Sequence, residues 1–304
     1  MNRKVWMGAA VLVAAVWTAG CGSAPAGTKA AAGDGKIPVA VSFDAMKEFT
    51  QAVGGDKVKI SVIIPDGTEP HEFDPKPQDL KSISEAKVFV YSGLGMEAWA
   101  DKAVKAAAKD NLITVEASKG ADPIQLTDPE EIEEHGAYDP HLWLSLKGAE
   151  LEAANIRDGL IQASPENKQY FEDNYNKFKN ELDALWKEYD GKFKTAKSHT
   201  IVTGHAAFGY FGRDFGLTQK SVEDTFASGE PTPAKLAELA EFVKKNHVKT
   251  VFTEDQVSPA VSETLAKEGG ADTKQIYTME SSDKGLTYLD RMKKNLENVY
   301  EALK

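Results

Sequence analysis

The stretch NKQYFEDNYNKFKNELDALWKEYDGKFK, residues 167–194, holds no proline and, apart from Gly191, no glycine. Phe171, Tyr175, Phe178, Leu182, Leu185, Trp186, Tyr189 and Phe193 recur within it at spacings of three and four. That period places them on one face of a single long helix. Ser164-Pro165-Glu166 just before it is a good helix start, with proline in the first turn. A stripe of aromatics on one face lines a groove or packs into a core, and packing is the ordinary use of so much apolar surface.

On both sides of this helix the chain alternates strand and helix patterns. Upstream, strands are expected over 37–43, 57–64, 87–92 and 112–116, with helices over 44–53, from Pro77 for about ten residues, over 96–108, and over 147–161. Downstream, strands are expected over 200–203, 218–222, 250–253 and 273–278, and helices over 205–215, 233–246, 259–268 and 286–303. Alternation at this spacing implies parallel βαβ units with right-handed crossovers. The fold class is therefore α/β: two Rossmann-like lobes with parallel sheets, residues 37–164 and 197–304, joined by one long rigid helix over 165–196. The long segment 118–139 between the fourth strand and the next helix reads as a loop, rich in acids at Glu130, Glu131, Glu133 and Glu134; loops of this length are usually functional or mobile.

The first residues read differently. Arg3 and Lys4 precede an apolar run from Val5 to Trp17, too short to span a membrane, followed by Thr18-Ala19-Gly20-Cys21. This is a secretory signal over residues 1–20. Loss of Arg3 and Lys4 with it takes the net charge from −11 to −13. Cys21 is the sole cysteine, so it has no internal disulfide partner. Its setting resembles the bacterial lipobox, with Thr18 where that box usually has leucine, so lipidation of Cys21 is expected. Residues 21–36 then form a flexible tether. The composition of the whole chain, 41% hydrophobic and 27% charged, is that of a folded globular protein, and its acidity argues against a nucleic-acid partner.

Three of the six histidines share a setting. His71 lies in Pro70-His71-Glu72-Phe73-Asp74-Pro75, His141 in Asp139-Pro140-His141-Leu142-Trp143, and His205 in Gly204-His205-Ala206-Ala207-Phe208. Each is read as following a strand-like run, and ligands of open α/β sheets sit beyond the carboxyl ends of the strands. One such histidine is usually a packed or surface residue; three in one context point to a metal site in the cleft between the lobes. His199 and His247 read as element termini. His135, in the acidic loop, is a candidate for passing a metal to the site or simply part of a solvated charge run. A fourth ligand is expected from the second lobe: Glu280 first, then Asp283, then water. A His3Glu set, with Zn–N distances of about 2.0–2.1 Å, suits Zn2+ over Mn2+. Asp74, Asp139 and Glu254 are placed either to orient imidazoles or to cap nearby backbone.

The motifs PHEFDPKPQDL, DPHLWLSL, GHAAFGYFGRDFGL, EPTPAKLAEL and TYLDRMKKNLENVYEAL together resemble the metal-binding solute-binding lipoproteins of bacterial ABC importers, of the zinc-type, zinc-uptake or laminin-binding-like subgroup. The resemblance runs from Cys21 to the last residues. It implies two lobes joined by a long helix and metal ligands at His71, His141, His205 and Glu280. It further implies a monomeric, non-enzymatic carrier on the extracytoplasmic face of the cytoplasmic membrane, served by an ABC permease and its ATPase. Manganese-type relatives usually carry Glu at the His205 position and Asp at the last one, so this chain looks zinc-type. It departs from many zinc members in having acids and only His135 before Asp139, where they carry many histidines. Some relatives are described as adhesins for host matrix proteins. The alternatives are a manganese or iron carrier of the same family, a surface adhesin with a structural zinc, and a secreted zinc hydrolase. No His-Glu-x-x-His pattern supports the last of these.

Overall fold

A computed structural model describes residues 35–227, 232–254, 259–283 and 285–304. The expected signal segment, Cys21 and most of the tether lie outside them. Among the described residues no helix is long and apolar enough to cross a membrane.

The first lobe holds β1 (Ile37–Val41), β2 (Val58–Val62), β3 (Val88–Tyr91) and β4 (Ile113–Glu116), all parallel, in the order β2-β1-β3-β4. β1 and β3 are buried almost throughout, as central parallel strands covered on both faces must be. The helices α1 (Asp44–Gly54), α2 (Pro77–Glu85) and α3 (Ala100–Ala107) link these strands. The segment after β4 is not a bare loop: it contains α4 (Pro129–His135), capped by the Asp128 carboxylate, which accepts from the N–H groups of Glu130 and Glu131. Asp-Pro-Glu-Glu is a helix-start sequence, but seven residues give too short a period to read. α5 (Leu146–Ala163) then returns along the lobe, with Ser145 as its N-cap.

α6 (Lys168–Lys194) is the long helix, 27 residues in all. Phe171, Tyr175, Phe178, Leu182, Tyr189 and Phe193 are buried on one face; the helix packs on α1 and α5 on the first-lobe side, while Phe193 meets Phe211, Phe215 and Tyr300 of the second lobe. Each fully buried aromatic or leucine here contributes about 1.5–3 kcal/mol. The stripe is core, not a ligand groove.

The second lobe repeats the plan with β5 (Thr200–Thr203), β6 (Thr218–Ser221), β7 (Thr250–Glu254) and β8 (Asp272–Ile276), again parallel, in the order β6-β5-β7-β8. Its helices are α7 (Gly209–Phe215), α8 (Pro233–Lys245), α9 (Pro259–Gly269) and α10 (Tyr288–Leu303). α7 begins four residues later than the pattern implied, so His205 lies in the turn between β5 and the helix. α7 and α10 also pack on α6. One hydrophobic cluster consequently runs through both lobes, from Ile37 to Leu303, while a smaller one around Val202, Leu239, Val243, Val251 and Leu265 fills the space under α8 and α9.

Candidate metal site

The site is built mainly from segments that leave the strand ends of the two sheets. His71 lies in the turn-rich loop after β2. His205 follows β5 by two residues, and Glu254 is the last residue of β7, the neighbouring strand across the change in strand order. Glu280 comes four residues after β8, not directly after it. Between them Met279 is fully buried in the left-handed region, φ 63°, a conformation a non-glycine residue holds only when its surroundings enforce it.

His141 departs from its expected origin. It does not leave a strand; it sits 25 residues past the end of β4, after an isolated antiparallel bridge between Gln125 and Tyr138, and opens the short 3-10 turn Leu142–Leu144. The bridge and the Asp139 N–H bond to Ile124 O, 3.0 Å, hold it there.

The donor atoms converge. His71 Nε2 and His141 Nε2 are 3.2 Å apart, His141 Nε2 and His205 Nε2 3.3 Å, and His141 Nε2 and Glu280 Oε1 3.8 Å. All four donors, one per residue, lie within 4.8 Å of one another. A tetrahedron with metal–ligand distances of about 2.0–2.1 Å has ligand–ligand edges of about 3.3 Å. His141, His205 and Glu280 are buried and His71 half-buried. Asp283, the second choice for the fourth position, pairs instead in an isolated bridge with Leu286. His199 and His247 stand outside the cluster, just before β5 and just after α8.

Two carboxylates fix the inner imidazoles. Asp139 Oδ1 accepts both the N–H and the Nδ1–H of His141, each at 2.9 Å. Glu254 accepts the His205 N–H at 3.0 Å through Oε1 and faces its Nδ1 through Oε2. Both rings therefore present Nε2 inward. Gly209 leaves room for Asp139, since a β-carbon there would stand 2.7 Å from Oδ2, and Gly204 makes the same allowance for Glu254 at 3.1 Å. Asp74, the third carboxylate considered from the sequence, is exposed. Thr278 Oγ1 donates to Glu280 Oε2 at 2.9 Å, which turns Oε1 toward the histidines.

Burial drives His71 and His141 well below the ordinary imidazole range, with neighbouring histidines adding to the effect. Burial opposes charge on His205 too, yet the Glu254 carboxylate beside it prevails and raises it to about 10. Burial pushes Asp139 up to about 7 and also raises Glu69 and Glu223, two acids near His205. With Nδ1 of His141 and His205 turned to carboxylates, their Nε2 atoms face each other at 3.3 Å, an arrangement that a metal cation or a proton on His205 Nε2 relieves.

Sequence reasoning missed the rim. Phe226 carries no motif, yet its ring stacks on His135 at 4.0 Å and meets His71 edge-on at 5.2 Å. It missed also the two residues that fasten the floor, Trp143 and Arg291. Trp143 Nε1 donates to Thr278 O at 2.7 Å, and Arg291 donates to Asp44 Oδ2 at 2.5 Å and to Ser281 O at 2.7 Å.

Two parallel α/β lobes on one long helix, with three histidines and a glutamate gathered at their shared edge, define the metal-binding class of solute receptors. Within it, the chain belongs to the ZnuA family, the periplasmic zinc-uptake complex component A, whose model matches residues 39–302. A Treponema pallidum protein named for metal binding is 42% identical over 275 residues, covering 88% of this chain and 87% of that one. The high-affinity zinc uptake system protein ZnuA of Bacillus subtilis is 35% identical over 99% of this chain and 98% of its own length. Among solved structures, a mutant laminin-binding adhesin of Streptococcus agalactiae superposes with a TM-score of 0.81 at 35% identity, over 88% of this chain and all of that one. The Zn(II)-bound ZnuA-like domain of Streptococcus pneumoniae AdcA gives 0.75 at 34% identity, over 88% and 99%.

Proposed function

We propose that this chain is an extracytoplasmic zinc receptor. It captures Zn2+ with His71, His141, His205 and Glu280 and delivers it to an ABC permease driven by its ATPase. The observation that carries the reading is the convergence of three Nε2 atoms and one carboxylate oxygen within 4.8 Å, at spacings a tetrahedral ion requires. An imidazole-rich set suits Zn2+ better than Mn2+, which is better served by more carboxylates. Zinc uptake in the Bacillus relative and zinc in the AdcA domain support the same ion. Lipidation of Cys21 behind a cleaved signal segment would hold the receptor at the outer face of the cytoplasmic membrane.

The receptor is a carrier, not an enzyme. Four protein donors close the position that a catalytic zinc leaves to water. The adhesin neighbours share the fold; the metal cluster, rather than the fold, favours transport. Metal analysis and zinc titration of the protein beside a His205→Ala variant test this. One zinc per chain is expected, removable by chelator without unfolding. The variant should lose more than the roughly 10–100-fold in affinity that removal of an orienting partner costs. Equal zinc binding by His205→Ala would rule out the three-histidine site.

A further inference from the structure

His71 is held unlike its two partners. His141 and His205 each have a carboxylate on Nδ1, whereas Nδ1 of His71 is buried with no hydrogen-bond partner among the described residues. Its backbone is tied, the N–H donating to Glu69 Oε1 at 3.2 Å, but that bond leaves the ring free to turn.

What meets the ring is Phe226, at 5.2 Å between centroids and 81° between planes. Phe226 is 1% exposed and among the largest fully buried side chains, yet it belongs to neither hydrophobic cluster. Its aromatic partners among the described residues are two histidines: His71 edge-on, and His135 stacked at 4.0 Å and 19°. The segment is pinned by the same helix that supplies His135, because Thr225 N–H donates to Glu131 Oε1 on α4 at 2.9 Å. Phe226 N–H donates to Asp224 Oδ1 at 3.1 Å. A second-lobe phenylalanine is thus clamped by a first-lobe helix directly against the one imidazole that lacks a carboxylate.

Resting on the zinc-receptor reading, we propose that Phe226, backed by the His135 ring, is the positioning residue for His71. It does by ring packing what Asp139 and Glu254 do by hydrogen bonds. Packing orients a ring less stringently than a charged acceptor, so His71 is the ligand that lets go first and the Phe226 contact sets the rate at which zinc leaves. His135 acts through its ring, not by passing metal through its nitrogens.

The test follows release of Zn2+ from the loaded protein into excess chromophoric chelator, comparing Phe226→Leu, His135→Ala and His135→Phe with the parent. Phe226→Leu keeps apolar bulk without the ring; it should release zinc about ten-fold faster, the low end of what an orienting partner is worth. The absorption of its Co2+ form should shift from the parent's, with the metal-free protein still unfolding in one cooperative thermal transition. His135→Ala should also speed release, and His135→Phe, which restores the stack but not the nitrogens, should return it to the parent rate. Parent-like release from Phe226→Leu would overturn the proposal, as would His135→Phe releasing as fast as His135→Ala. His135 is only partly buried, so its two variants decide the matter even where Phe226→Leu does not fold. Failure of the unmodified protein to bind zinc would remove the receptor reading and this inference together; zinc binding with unchanged release rates would remove the inference alone.

Discussion

The floor of the site and its rim are built of different materials, although the same two lobes supply both. On the floor, Trp143 donates to Thr278 O and receives the Tyr288 hydroxyl on its own carbonyl, each at 2.7 Å, while its ring meets Phe43 at 4.8 Å. Arg291 bridges Asp44 and Ser281 beside them, and all these side chains are buried. At the rim the lobes meet through rings and through scattered bonds near the surface, Thr225 to Glu131 on one side and Ser282 to Asp66 on the other, each at 2.9 Å from a backbone N–H. Buried, cross-bonded groups open only with the whole fold, whereas a rim of surface bonds and ring contacts opens locally. The difference implies that zinc enters and leaves through the rim while the floor stays closed.

Breaking the floor should give the largest effect. Arg291→Ala takes from Asp44 its buried cation and leaves it only the partly exposed Lys47 at 2.8 Å; removal of one partner from a buried pair costs about 3–5 kcal/mol, and Lys47 holds the loss to the low end of that range. Denaturant unfolding of the metal-free variant measures it. The folded fraction should still bind zinc, more tightly than a variant stripped of a histidine's carboxylate. A stable Arg291→Ala protein that no longer binds zinc would show that floor and site are one unit.

Much of this was legible from residues. The 3.6-residue period over 167–194 specified α6, and the alternation of strand and helix patterns specified two parallel sheets. Local context singled out His71, His141 and His205, because turn-rich segments at strand ends are short-range signals. Strand order, the pairing of Glu254 with His205, and the Trp143 and Arg291 contacts were not legible. The side-chain meetings of Glu254 with His205, Trp143 with Thr278 and Arg291 with Asp44 join residues 49 to 247 positions apart, and no local pattern records them. His141 shows the boundary well: its motif marked it, but its support is a bridge between Gln125 and Tyr138 that resembles no strand. Phe226 was invisible for a further reason, since it packs on rings instead of joining a periodic apolar face.

Glu254→Gln sharpens the comparison within the site itself. Glutamine keeps the shape but loses the charge that faces His205 Nδ1, and loss of such a partner costs about 10–100-fold in metal affinity. Chelator competition measures it, and parent-like affinity would show that ring orientation does not depend on the carboxylate. The pH dependence follows from the same pair. With His205 raised to about 10, the metal-free protein carries a proton there at neutral pH, and zinc must displace it. Affinity should therefore rise about ten-fold per pH unit through neutrality. In Glu254→Gln the largest charge opposing burial is gone and only Glu280 and Glu69 still favour the protonated ring, so its pKa falls and the slope should flatten. For the metal-free fold the sign is the reverse: the ion pair's contribution is complete below about 6.5 and is lost as pH rises through about 10. Equal slopes in the two proteins would place the displaced proton elsewhere.

The smallest expected effect concerns lobe motion. Spin labels at exposed Lys59 on β2 and exposed Lys267 on α9, in a chain with Cys21 replaced by serine, report the distance between lobes. A second pair, Lys59 with Glu133 on α4, reports the rim. One hydrophobic cluster spans both lobes and α6 fastens to helices of each, so hinging would have to tear apolar surface from its partners. Zinc should change the lobe-to-lobe distance by less than about 2 Å, the scale that separates local adjustment from rearrangement. The rim distance distribution should narrow as the Phe226 contact engages a metal-bound His71. A large change in the lobe pair would reverse the comparison: the floor would then be the moving part, and the clamp on Phe226 would ride with its lobe instead of timing release.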